Sequence, residues 1–411
     1  VITSLVVSGY RSIGPELRLD VGPVVCLYGK NGAGKSNVLR AVRLLGALMR
    51  EDLSVYRHPA PVNAEAWFER HGEDPWMFAT SGSARAARLE CTTSSGATVG
   101  FEIGDDEGAI TVQLTAWRQG ERDFGEQLKK VAEAEDFEDW LGVVQEDPTV
   151  LDELQSVWDA LRSELHVTSD LIAAELPVPQ DVRDRVAALA SSVQRNEIKR
   201  FRRLSEWIVR LAPPGSTGHF RDVSNPPVHP RDFAWIDDQG VMPLDSLGSG
   251  FQALFLLLAG LLDGTPSTPG PAAIALLEEP ENRLHPPLQT QIVAMLRDLI
   301  AEKVVRQLWI ATHSVALAAP GFTCLHLKRH EGVTSVRTIS SEDLRQIELH
   351  VEGTGDSTVS VVNADHQIRL PSYVLEGLHA GPGSLVYFVR EGNGFRLVAE
   401  EELESSIGLA P

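Results

Sequence analysis

The first 28 positions run as short apolar stretches broken by polar residues. VITSLVVSGY and PVVCLYG read as two strands. A glycine-rich loop follows, and then Val38, Leu39, Val42, Leu45 and Met49 recur at helical spacing, which predicts an amphipathic helix over 36–50. Residues 50–118 are mixed, and the pieces ARLECTT, ATVGFEI and AITVQLTAW alternate as strands do.

The rhythm changes over 122–212. Asp147-Pro148 suits a helix start, with Asp as cap and Pro in the first turn. Leu151, Leu154, Val157, Leu161 and Leu165 then recur at helical spacing. Pro177 and Pro179 interrupt the pattern, and a second helix is expected from about Val182 to Leu211. This span reads as a helical insertion, an antiparallel hairpin with extra turns. Residues 213–232 are loop by composition, and Phe233–Pro243 reads as a hairpin turning near Asp238-Gln239-Gly240. From 244 to 330 the order is helix, buried strand, helix, buried strand, and 357–399 are β-rich. The pattern as a whole predicts an α/β fold with a mostly parallel sheet around the glycine loop.

Composition narrows the class. The chain has 411 residues, 43% hydrophobic and 23% charged, with a formal net charge of −20. These are values of a soluble globular protein, long enough for more than one domain. No apolar run is long enough to span a bilayer, so no membrane partner is expected. The start carries no basic segment or cleavage site of a signal peptide, and Cys26, Cys91 and Cys324 are too scattered for a disulfide framework or zinc site. A cytoplasmic location is the expectation. The negative field opposes loose adsorption to nucleic acid. One local exception is the stretch 194–204, with Arg195, Lys199, Arg200, Arg202 and Arg203, which makes nucleic acid a possible partner.

The candidate chemistry starts at Gly29-Lys30-Asn31-Gly32-Ala33-Gly34-Lys35-Ser36, which fits G-x-x-x-x-G-K-[ST] at every fixed position. It follows a strand and opens a helix, the context the motif requires. Glycines let backbone N–H groups turn inward around phosphate oxygens, and the helix N-terminus adds partial positive charge. Lys35 is expected to reach the β- and γ-phosphates of ATP, and the Ser36 hydroxyl to ligate Mg²⁺. Asn37 closes the loop segment. A second run, Ala273-Ile274-Ala275-Leu276-Leu277, ends in Glu278-Glu279-Pro280. A buried strand delivering two carboxylates at its carboxyl end fits an NTPase: Glu278 toward Mg²⁺ and Glu279 toward the attacking water. Leu308-Trp309-Ile310-Ala311 leads into Thr312-His313-Ser314, placing His313 at the end of a neighbouring strand, within hydrogen-bonding reach of a γ-phosphate.

Together YRSIG (10–14), GKNGAGKSN (29–37), LDSLGSGFQ (244–252), LLEEPENRLHP (276–286) and ATHS (311–314) resemble the ABC-type ATPases of the SMC, RecF and OLD group, often described as AAA family ATPases. The resemblance covers roughly 1–48 and 233–330. It implies heads that sandwich ATP, each site joining the glycine loop of one subunit to the signature motif of another. Leu247-Gly248-Ser249-Gly250-Phe251-Gln252 resembles that signature, with Ser249 and the amides at Gly250 facing the partner's γ-phosphate. His313 resembles the switch histidine, and Arg11 matches an arginine found near the nucleotide in this group. Two departures stand out: the first metal carboxylate is Glu278 rather than Asp, and no glutamine occurs between Lys35 and Val112 to serve as a Q-loop.

The expected organisation is an N-terminal lobe of the head (1–121), the helical insertion (122–212), a C-terminal lobe (213–350) and a tail (351–411). The tail segment 366–398 resembles the AbrB/MazE swapped-hairpin fold, modules that dimerise by sharing strands and bind DNA or a toxin. The expected function is an ATP-hydrolysing ATPase that dimerises or oligomerises through its heads. It would switch a partner or nucleic-acid assembly in bacterial defence or DNA maintenance, with an effector protein in trans. A tail-based regulator of a toxin or operator and a RecF-like loader on DNA are the alternatives.

Overall fold

The computed structural model describes residues 1–14, 16–57, 60–78, 86–106, 108–125, 150–167, 273–282, 284, 286–314 and 321–340. It also describes 172–173, 206–207, 209–210, 219–222, 233–237, 240–243, 252, 257–258, 261, 264–265, 268–269, 317, 378, 386–391 and 394–399. The chain divides into two units, Val1–Ser341 and Glu342–Pro411.

The larger unit contains two main sheets. One is antiparallel and is built from β1 (Ile2–Ser8), β2 (Leu17–Asp20), β4 (Val62–Asn63), β5 (Ala86–Thr93), β6 (Ala97–Asp106), β7 (Ala109–Gln119) and β8 (Arg122–Asp123). Its order is β2-β1-β5-β6-β7-β4, with β8 on β7. The other carries the site. It contains β3 (Val24–Tyr28), β9 (Ile172–Ala173), β15 (Ile274–Glu278), β16 (Gln307–Thr312), β17 (Thr323–His330) and β18 (Val333–Ile339), in the order β18-β17-β3-β16-β15-β9. All neighbours pair in parallel except β17 with β18. Strands buried on both faces read as unbroken apolar runs. So it is here: every residue of β16 is buried, as are the first four of β3 and of β15. Between β9 and β15 in sequence lie the small pairings of β10 (His219–Asp222), β11 (Phe233–Asp237), β12 (Gly240–Pro243), β13 (Gly264–Thr265) and β14 (Thr268–Pro269).

Helix α1 (Lys35–Arg50) leaves β3 through the glycine loop and buries Val38, Leu39, Val42, Leu45 and Met49, the positions its period predicts. After it come the short α2 (Leu53–Arg57) and α3 (Ala64–His71). The fully buried Gln307 joins the two sheets: its amide donates to the carbonyls of Ile2 (2.7 Å) and Gly22 (2.8 Å) and accepts from the Ile2 N–H (3.0 Å). Helix α4 (Val150–Glu164) is the longest described element of the insertion, which also contributes β8 and β9. Its Trp158 packs on Tyr56 and Trp117, with ring centroids 5.5 and 5.3 Å apart, anchoring the helix on the antiparallel sheet. Helix α5 (Pro286–Ala301) links β15 to β16.

Two expectations need correction. The first 28 residues form three strands, because Leu17-Arg18-Leu19-Asp20 alternates buried and exposed and pairs with β1. The stretch expected to be loop contains β10, whose backbone groups gain an antiparallel partner in β11. The predicted hairpin at 233–243 is present as β11 and β12. The predicted second helix of the insertion lies largely outside the described residues. In the smaller unit, β19 (Val386–Glu391) and β20 (Gly394–Ala399) pair antiparallel, Glu391 opposite Gly394. The rest of the expected tail pattern lies outside the described residues. No described helix is long and apolar enough to cross a membrane.

Candidate active site

The glycine loop connects the end of β3 to the start of α1. Helix α1 begins without a side-chain cap and without an acidic residue in its first turn. Its leading N–H groups are therefore left for an anion. Gly34, just before the helix, has φ +102, and a Cβ there would lie 2.3 Å from Thr334 Oγ1. Gly32 has φ +77, but a Cβ there would meet nothing within 4 Å, so the loop opens on free space at this point. Lys30, Asn31 and Gly32 form the exposed rim, while Ala33, Gly34 and Lys35 are buried.

Lys35 turns back over the loop, and its ammonium donates to the carbonyls of Gly29 (2.8 Å) and Lys30 (3.3 Å). Burial lowers its pKa, and Glu279, Glu281 and Glu278 act in the opposite sense. A phosphate could replace the two carbonyls as acceptor without taking the lysine from its cradle. The Ser36 hydroxyl donates to the Glu278 carboxylate, joining the start of α1 to the end of β15. Two hard oxygen donors side by side suit Mg²⁺.

The register of β15 against β16 sets Glu278 opposite Ala311. The next residue, Glu279, has φ +46, uncommon for a residue with a Cβ, and its N–H donates to the Ala311 carbonyl at 2.8 Å. Its carboxylate accepts from the Asn282 side-chain amide at 2.7 Å. His313 Nδ1 stands 3.6 Å from both Glu279 Oε1 and Glu281 Oε1, with its ring half exposed. Lys35, Ser36, Glu278, Glu279 and His313 therefore gather around the carboxyl ends of β3, β15 and β16.

Sequence reasoning missed Glu281. It is 2% exposed and accepts from the Thr312 hydroxyl and, at 3.2 Å, from the His313 N–H, so it fixes the backbone from which the histidine projects. The Thr312 hydroxyl also accepts from the Ser314 N–H at 2.9 Å. The third carboxylate of Glu-Glu-Pro-Glu was the only available signal. Ser12 and Thr334 were missed as well. Their hydroxyls are 2.7 Å apart; Ser12 accepts from the Asn37 amide (2.7 Å), and Thr334 donates to the Ala33 carbonyl (3.2 Å). These contacts lock the outer side of the loop to the hairpin of β17 and β18.

Arg11 sits at φ +52 in the tight turn formed by YRSIG. Its guanidinium pairs with Glu73 (2.8 Å) and Asp74 (3.2 Å), and Glu73 also pairs with Arg43 (3.0 Å). Ser249 and Gly250 lie outside the described residues.

Comparisons with known proteins agree with this arrangement. Residues 24–319 match the family described as "AAA domain, putative AbiEii toxin, Type IV TA system". A solved SMC head bound to the C-winged-helix domain of ScpA is similar, with a TM-score of 0.52 and 12% identity over 84% of this chain and 99% of that one. The SMC head of Thermotoga maritima gives 0.46 and 12% over 82% and 99%. An SMC head with an extended coiled coil, bound to the C-terminal domain of ScpA derived from Pyrococcus furiosus, gives 0.46 and 12% over 86% and 99%. No curated protein matches the chain. At 12% identity the first of these likenesses speaks for the fold alone, whereas the family match spans most of the chain and includes the glycine loop, both carboxylates and the histidine. The chain belongs to this AAA-domain family, and it has the fold of an SMC head domain.

Proposed function

We propose that the protein hydrolyses ATP and that ATP joins two heads, so that turnover switches an assembly. The observation that carries this reading is the direct contact of Ser36 with Glu278, beside a buried Lys35 surrounded by three carboxylates. Lys35 holds the outer phosphates. Ser36 and Glu278 hold Mg²⁺, which neutralises phosphate charge when bound. Glu279 accepts a proton from water as the water oxygen bonds to the γ-phosphorus, and the bond to the β-phosphate oxygen breaks to leave ADP and phosphate. His313, set by Glu281, hydrogen-bonds the γ-phosphate. Ser249 and Gly250 of a second copy complete the site from the far side, and Arg11 lies in the turn next to the loop.

The family's description as a toxin of a type IV toxin–antitoxin system supports a role in bacterial defence, with an effector or antitoxin in trans. The separate unit Glu342–Pro411, with its own hairpin, supports a second reading in which an AbrB/MazE-like tail binds DNA or a toxin under ATP control. Phosphate release under steady state tests the first claim. Wild type is expected to turn over ATP, and Lys35→Ala and Glu279→Gln are expected to lose turnover by at least about a hundredfold. Equal rates in all three proteins would sink the assignment. Removing residues 342–411 tests the second: partner binding that survives the deletion rules it out.

A further inference from the structure

A second cleft lies at the opposite ends of the strands that carry the active-site carboxylates and histidine. It is about 600 Å³ in volume and is lined by Asp159, Arg162 and His166 from the end of α4, and by Lys303 and Arg306 from the link between α5 and β16, with Ala273 at its floor. Ala273 immediately precedes β15 and Arg306 immediately precedes β16. The volume is that of a site for a nucleotide-sized molecule.

Charge is the informative feature. Arg162, Lys303 and Arg306 form no ion pair among the described residues, and all three are exposed. Cations often gather at helix carboxyl ends, and two such ends, of α4 and α5, approach this cleft. Those ends together present only about one negative charge. Asp159 adds one more, so three cations leave an excess of about one positive charge before Arg50 is considered. The local field is positive: His166 is held below its ordinary pKa, first by burial and then by Arg50, Arg306 and Arg162. Arg306 donates to the Ser163 carbonyl at 2.9 Å, which fixes it on the wall.

Lys303 adds a second, independent sign. It follows the end of α5 in the left-handed region (φ +55), its N–H donating to the Ile300 carbonyl at 3.0 Å. Glycine fills such a position without strain. A lysine there carries a backbone cost that glycine would not, and it sets a cation on the cleft.

We propose that this cleft binds a small ligand bearing a chain of phosphates, held by Arg162, Lys303 and Arg306. A concave site suits a compact polyanion, whereas the net charge of −20 opposes a long one.

The test uses the full chain and inorganic tripolyphosphate, followed by hydrogen exchange and titration calorimetry. The expected result is protection of 159–167 and 302–306 in addition to the glycine loop. Lys303→Glu and Arg162→Glu should each weaken the cleft's affinity by about tenfold while nucleotide affinity at the glycine loop stays unchanged. Lys303→Gln serves if a reversal prevents folding, with a smaller loss of the same sign. Protection confined to 29–37, or a Lys303→Glu protein that binds like wild type, would overturn the proposal. So would a single-stranded oligonucleotide that occupies the cleft more tightly than tripolyphosphate, since the occupant would then be a nucleic acid.

Discussion

Two glycines of one loop should respond to different extents to the same added methyl group. At Gly34 a Cβ would lie 2.3 Å from Thr334 Oγ1 and 3.0 Å from Ser12 Oγ, at φ +102. The backbone term alone costs about 1–2 kcal/mol. Thr334 must also move, which breaks its contacts with Ser12 (2.7 Å) and with the Ala33 carbonyl (3.2 Å). Each such bond contributes about 0.5–1.5 kcal/mol, so Gly34→Ala should cost about 2–5 kcal/mol. At Gly32 the methyl meets nothing, and only the backbone term remains, about 1–2 kcal/mol. Thermal melting without nucleotide should therefore fall by about 3–7 °C for Gly34→Ala and about 1–3 °C for Gly32→Ala. Nucleotide binding should rank differently. The Gly32 methyl projects into the open side of the loop, so Gly32→Ala should lose at least about tenfold in ATP affinity despite its milder melting change. Equal melting temperatures for the two variants would refute the claim that the hairpin of β17 and β18 braces the loop through Thr334.

Two further outcomes follow from Thr312 and His166. Thr312→Val removes a hydroxyl that donates to Glu281 and accepts from Ser314, so it should destabilise the protein by about 1.5–3 kcal/mol in chemical denaturation and slow turnover through a misplaced His313. The pKa of His166 is depressed in the fold, so the unfolded chain takes up its proton first as pH falls through the ordinary histidine range. Stability should decline on that acid side, and His166→Gln should flatten the dependence of melting temperature on pH there.

The elements nearest the chemistry were legible because they are buried on both faces. Val24–Tyr28, Ile274–Glu278 and Gln307–Thr312 read as apolar runs, and each ends at a motif. The helix α4 was legible from a stripe that includes Leu154 and Leu161, both buried. By contrast β10 is His-Phe-Arg-Asp amid prolines and glycines, and only the partner strand β11 makes it a strand. Glu281 was hidden for another reason. Its role depends on the register that sets the turn after β15 beside Thr312 and His313, and register is not visible in a single strand. The same holds for Cys26 and Cys324, distant in sequence yet directly opposite on β3 and β17, both as free thiols.

The central claim is that ATP is bound between two heads. Light scattering of Glu279→Gln, which should bind but not split the nucleotide, tests it most directly. With ATP and Mg²⁺ the mass should rise to twice the single-chain value of 44.9 kDa, and Ser249→Arg should return it to one chain. A particle that stays at 44.9 kDa with ATP bound to its glycine loop would contradict the account.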